Sequence, residues 1–88
     1  MEPALKALLM TLMNKRIIGG RHTPEKKIIK SKTRWLTKSE KRQFDKQYKE
    51  LINLNIIIKQ MKRTKKDSDY HIALNPAKLR EMYELIEK

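Results

Sequence analysis

Cysteine is absent from the 88 residues, glycine occurs twice, proline three times, and phenylalanine and tryptophan once each. Without cysteine, disulfides and thiolate metal sites are excluded, and with them the oxidising compartment they would suggest. An intracellular, cytoplasmic protein is the simplest expectation. There is no Gly-rich phosphate loop and no H-E-x-x-H pair, so the nucleotide-hydrolase and zinc-protease classes have no footing and no cofactor is implied. Long hydrophobic runs are missing too. The longest apolar stretch, Ala4 to Met13, is interrupted by Lys6 and Thr11 and is about half the length a membrane span needs. The start Met1-Glu2-Pro3 has no basic n-region, so a signal peptide is not expected. No internal repeat or low-complexity tract occurs.

Acid is the other scarcity. Asp and Glu total 10 against 22 Lys and Arg, a formal net charge of +12 and a pI near 10.1. Hydrophobic residues make up 39%, too many for a disordered basic tail, while 36% are charged. A chain of this length forms one domain and buries roughly 65% of its extended surface. The expectation is one small core under a heavily charged surface.

Pro3 suits the first turn of a helix, and Leu5, Leu8, Leu9 and Leu12 follow on one helical face, which predicts helix one over 3–16. Ile17-Ile18-Gly19-Gly20 reads as a short extended piece and a turn. Thr23-Pro24-Glu25 offers a cap, a first-position proline and an acid in the first turn, predicting helix two over 24–32 with Ile28 or Ile29 buried. Thr37-Lys38-Ser39-Glu40 fits a capping box and opens helix three, 38–54. Phe44, Tyr48, Leu51, Ile52 and Leu54 fall on one side of it; Lys38, Arg42, Lys46 and Lys49 cluster on the other. Asn55 is a left-handed terminator. Ile56 to Arg63 and Tyr70 to Leu74 alternate as two strands of a hairpin, 56–74, around a polar turn. Asn75-Pro76 caps helix four, 76–87, with Leu79, Met82, Tyr83 and Ile86 on one face.

The predicted fold is thus mainly α with a small β-hairpin, and its element order resembles the winged helix-turn-helix family over nearly the whole chain. The stretch Leu51-Ile52-Asn53-Leu54-Asn55-Ile56-Ile57-Ile58 looks like that family's join between recognition helix and wing. It departs from the pattern in having Asn55 where glycine is common, and the wing turn lacks its frequent glycine. The resemblance implies a three-helix core plus wing and an additional C-terminal helix. It also implies helix three as the reader of the DNA major groove and Arg63 to Lys66 as the wing tip.

The basic excess is organised. Residues 21–34 carry six cations against Glu25, residues 51–66 carry five with no acid, and residues 67–88 carry three against five acids. A polyanion should meet the side built from helix two, helix three and the hairpin, with helix four away from it. Arg42 and Lys46 are candidates for base or phosphate contact; Lys38 and Lys49 suit backbone phosphate. Lys59, Lys62, Arg63, Lys65 and Lys66 form a basic ribbon. Arg21, His22 and Thr23, just before helix two, are candidates for pinning a phosphate on its N-terminal N–H groups. An ordinary exposed helix with Asp45 paired to Lys49 is the bland alternative for helix three. Among aromatics, Phe44 and Tyr48 belong to the core, and Trp35, before the capping box, is assigned to the core over base stacking.

Duplex DNA binding, as a small transcriptional regulator or chromatin-associated factor, nucleoid-associated if so, is the leading expectation. An RNA-binding or ribosome-associated module and a protein-interaction module are its rivals, since fold alone does not choose. Catalysis has little support: Asp67, Asp69 and His71 are the only cluster with metal-ligand or acid character, and Asp is already favoured in a hairpin turn. Helix four, apolar on one side within the only acidic segment, predicts a homodimer with Leu79, Met82, Tyr83 and Ile86 in its interface.

Overall fold

The computed structural model describes residues 1–63 and 68–87. Its first helix, α1 (Pro3–Asn14), begins where proline is tolerated, and the buried Glu2 side chain caps it by accepting from the Leu5 N–H at 3.0 Å. The Glu2 N–H donates to Gln47 Oε1 at 2.7 Å, so the start of α1 is tied to the third helix. All four leucines of the predicted stripe are buried. The helix stops two residues short of the expected end because Arg16 turns left-handed, φ 54°, which ends the helical hydrogen bonding.

Ile17 to Gly19 then run beside Leu74. The Leu74 N–H donates to Ile17 O and the Gly19 N–H to Leu74 O, both at 2.9 Å, giving a parallel bridge at Ile18. Gly19 sits at φ 66°, which an L side chain rarely adopts.

Thr23–Pro24 differ from expectation. They form a short strand, β1, with Thr23 opposite Ile72 and Pro24 opposite His71, so Thr23 is not a helix cap. Helix α2 (Glu25–Thr33) starts without a side-chain cap. Proline is acceptable in β1 because this is an edge strand. The expected hairpin is therefore part of a three-stranded antiparallel sheet, ordered β1-β3-β2, with β2 at Ile57–Arg63 and β3 at Ser68–Leu74. The molecule has four helices and a small three-stranded antiparallel sheet, which is compatible with the general class expected and adds one strand to the hairpin.

Helix α3 (Lys38–Asn53) opens with the capping box complete: the Glu40 N–H donates to Thr37 Oγ1 and the Thr37 N–H to Glu40 Oε1. Hydrogen bonding from the Thr37 N–H, and then from its hydroxyl, holds the Glu40 carboxyl below the usual carboxylate range. Phe44, Tyr48 and Leu51 are buried and Ile52 half-buried, as the periodicity predicts, but Leu54 is 56% exposed. It lies past the last helical residue, and Asn55 at φ 61° redirects the chain, so the helical wheel no longer applies to it. Asn75 stitches the other end of the sheet. Its N–H donates to Ile56 O, its Nδ2 to Asn55 O, and its Oδ1 accepts from the Ala77 N–H. A 3-10 turn, Pro76–Lys78, leads into α4 (Leu79–Glu87).

One cluster joins every layer: the α1 leucines, Ile28, Phe44, Tyr48, Leu51, Ile57, Ile72, Leu74 and Met82. Met82 is wholly buried there, so it belongs to the chain's own core and not to a dimer interface. Leu79 and Ile86 also pack against this core; Tyr83 alone of the four expected interface residues is substantially exposed, at 42%. Most of the apolar side of α4 is therefore covered within one chain, and only its Tyr83 edge is left open.

Two substitutions separate core from surface. Phe44→Ala is expected to lower unfolding free energy by about 3–5 kcal/mol, and Leu54→Ala by less than about 1 kcal/mol, measured by urea unfolding. Equal losses would contradict the burial pattern.

Candidate nucleic-acid interface

Helix α3 is held by its apolar side, which sets what its other side presents. Lys38, Arg42, Lys46 and Lys49 are all exposed and fall within an arc of roughly 80° at about 100° per residue. From Lys38 to Lys49 the stripe extends about 16 Å, comparable with the roughly 12 Å width of a DNA major groove. Asn53, also exposed, continues the same stripe and was not singled out from the sequence; the signal was its place on the wheel. Asp45 and Lys49 do not pair. Among the described residues the ion pair formed is Lys59 Nζ to Glu25 Oε2, at 3.1 Å.

That pair changes the reading of Lys59. Glu25 Oε2 also accepts from the Tyr48 hydroxyl at 2.7 Å, and Lys59 Nζ stands 4.5 Å from the centre of the Tyr70 ring. Lys59 is therefore engaged inside the molecule, linking β2 to α2 and α3, and is not part of a free basic ribbon. Burial, and then the bond to Glu25, push the Tyr48 hydroxyl pKa well up, so it acts as a fixed donor. Lys62 is exposed at the far end of β2. Of the expected wing tip, the Arg63 side chain, Lys65 and Lys66 lie outside the described residues, as does Asp67.

The anion site expected before helix two is not built as predicted. Thr23 is half-buried in the sheet ladder, and the His22 ring meets His71 edge-on, with the two Nδ1 atoms 3.0 Å apart. His22 is thus a link between β1 and β3. Arg21 is exposed and retains a free role. Among the described residues no three His, Cys, Asp or Glu side chains come together as a metal site, and no helix is long and apolar enough to cross a membrane.

Trp35 is the largest departure. It is 83% exposed, contrary to its assignment to the core, because Leu36 rather than Trp35 turns inward against the cluster. The Arg34 guanidinium lies 5.2 Å from the centre of its ring. The chain's outer surface therefore combines a basic α3 stripe, cations on α2, and one uncovered indole between the two helices. Comparison with known proteins finds no match to a family model, to a curated protein or to a solved structure.

The histidine link gives a pH dependence. Burial, then Lys62, then His71 hold the His22 pKa below the usual value of 6.5, so folding favours the neutral ring. Its contribution is complete above that value and is lost as pH falls below it, where the unfolded chain takes up the proton more readily. Between about pH 7 and 5 the Tm of the wild type should fall further than that of His22→Gln, measured by circular dichroism. Parallel pH profiles would show that His22 carries no such linkage.

Proposed function

We propose that this chain is a winged-helix nucleic-acid-binding protein that docks α3 in the major groove of duplex DNA, as a small transcriptional regulator or chromatin-associated factor. The observation that carries the reading is the α3 stripe. Four cations project from one side of a helix whose opposite side is fixed in the core, so their positions are defined relative to the whole domain. The element order and the β1-β3-β2 sheet agree with the winged arrangement the sequence resembles. Among the described residues Asp45 makes no ion pair with the stripe, and Glu25 is committed to Lys59 and Tyr48. The acids of α4 itself, Glu81, Glu84 and Glu87, take no part in this docking.

Arg42 and Lys46, near the middle of the stripe, read base edges, and Lys38 and Lys49 hold phosphates at its margins. Lys62, exposed on β2, adds a backbone contact. A pairing of two copies through the exposed edge of α4, around Tyr83, would set two α3 helices on half-sites about 34 Å apart. In that arrangement Tyr83→Glu halves the sedimenting mass without unfolding the chain.

Titration of duplex DNA at several salt concentrations tests the reading. Log K should fall linearly with log salt, with a slope of roughly −4 to −7 for about five to eight neutralised phosphates. Arg42→Ala and Lys46→Ala should each weaken a preferred sequence by about 1–3 kcal/mol, and random duplex less. Arg80→Ala, on α4, should leave both unchanged. A slope near zero, or tighter binding to structured RNA than to any duplex, would overturn it.

A further inference from the structure

Exposing an indole leaves roughly 150–250 Å² of aromatic surface in water, and a chain with one small core would gain by burying it. The local backbone is well anchored instead. The Thr33 hydroxyl donates to Ile29 O, the Arg34 N–H to Lys30 O and the Leu36 N–H to Thr33 O, and Leu36 packs against the core. Trp35 therefore projects from a fixed turn. Arg34 lies over the ring on one side and also lines a depression of about 250 Å³ with Lys27, Lys30 and Ser31. Three cations thus line one depression, and Arg34 joins it to the indole. Residues 26–38 carry six cations and no acid.

We propose that the Arg34–Trp35 turn is a stacking site for an unpaired nucleobase, with the adjoining phosphate seated in the depression lined by Lys27, Lys30, Ser31 and Arg34. This rests on the nucleic-acid reading above and extends it: besides a duplex on α3, the protein holds a single-stranded segment. Each part of a nucleotide finds a matching group. The base has a π-face for the indole, and the phosphate has a guanidinium and two ammonium groups, the Ser31 hydroxyl being donated to Ile28 O at 2.7 Å. A purely anionic ligand would use the cations and have no need of Trp35, and an apolar protein surface would be opposed by the uncompensated charge around it. Stacking on one indole is tolerant of sequence, since every base offers a π-face. The site therefore recognises strand state rather than sequence.

Trp35 is the only tryptophan, so its emission reports on the site directly. The full chain is titrated with fluorophore-labelled oligothymidylate, oligouridylate, a blunt duplex and heparin, following both tryptophan emission and anisotropy. Both single strands should quench Trp35, and Trp35→Ala should weaken them by roughly 5- to 100-fold, with Trp35→Phe retaining most of the affinity. Duplex and heparin binding should be nearly unchanged by Trp35→Ala. Stronger Trp35-dependent binding of oligouridylate assigns the segment to RNA, and the reverse to DNA; both outcomes support the site. Single-strand affinities indifferent to Trp35→Ala overturn it, as does an equal loss for heparin, which has no bases. A chain that binds the duplex but meets either condition refutes the stacking site alone, whereas one that binds no nucleic acid contradicts the wider reading as well.

Discussion

Four leucines on α1, all fully buried, are the constraint on which the other elements depend. The chain is 36% charged and has only one place to hide apolar surface, so α2, α3, the sheet and α4 each contribute side chains to the same cluster. Once Phe44, Tyr48 and Leu51 are committed to it, α3 has no freedom to rotate. Turning it by a third of a revolution would bring cations towards the leucines and expose Phe44, at a cost of several kcal/mol. The orientation of the basic stripe is therefore a consequence of the core.

A second, polar restraint locates the sheet against the helices. The Glu25 carboxylate takes the Tyr48 hydroxyl from α3 and Lys59 from β2. A partly exposed ion pair of this kind contributes no more than about 1 kcal/mol, so its effect is one of position. It also removes the one acid within residues 21–34 from any role in balancing the surface. What remains outside α2 and α3 is cation in excess, and that excess faces solvent.

Much of this was legible in the chain because local signals agreed with one another. Thr37 with Glu40, Asn55, and Asn75 with Pro76 marked element ends that the backbone adopts, and the α1 and α3 periodicities picked the buried sides. The failures share a cause: they depend on partners distant in sequence. Thr23-Pro24 reads as a helix start until β3 supplies Ile72 and His71 as ladder partners. His22 reads as a phosphate candidate until His71, 49 residues away, meets it. Lys59 looks like one more wing cation until Glu25 and Tyr48 claim it. Met82 reads as surplus apolar surface because nothing local says that the shared core has a place for it. For Trp35 and Leu54 the reason differs. Both lie beyond helix ends, where a period of 3.6 carries no information about direction. Of the candidate interface, the α3 stripe was visible in the sequence, while the reassignment of His22, Thr23 and Lys59 needed three dimensions.

On the proposed reading, the outer side of α3 is the surface a nucleic acid meets. Mapping backbone amide chemical shifts of the full chain during titration with duplex DNA tests it most directly. The account predicts that the largest changes fall at Lys38, Arg42, Lys46, Lys49 and Asn53, with Leu79 to Glu87 of α4 nearly unmoved. Changes centred on α4, with the α3 stripe unaffected at saturating duplex, would contradict it.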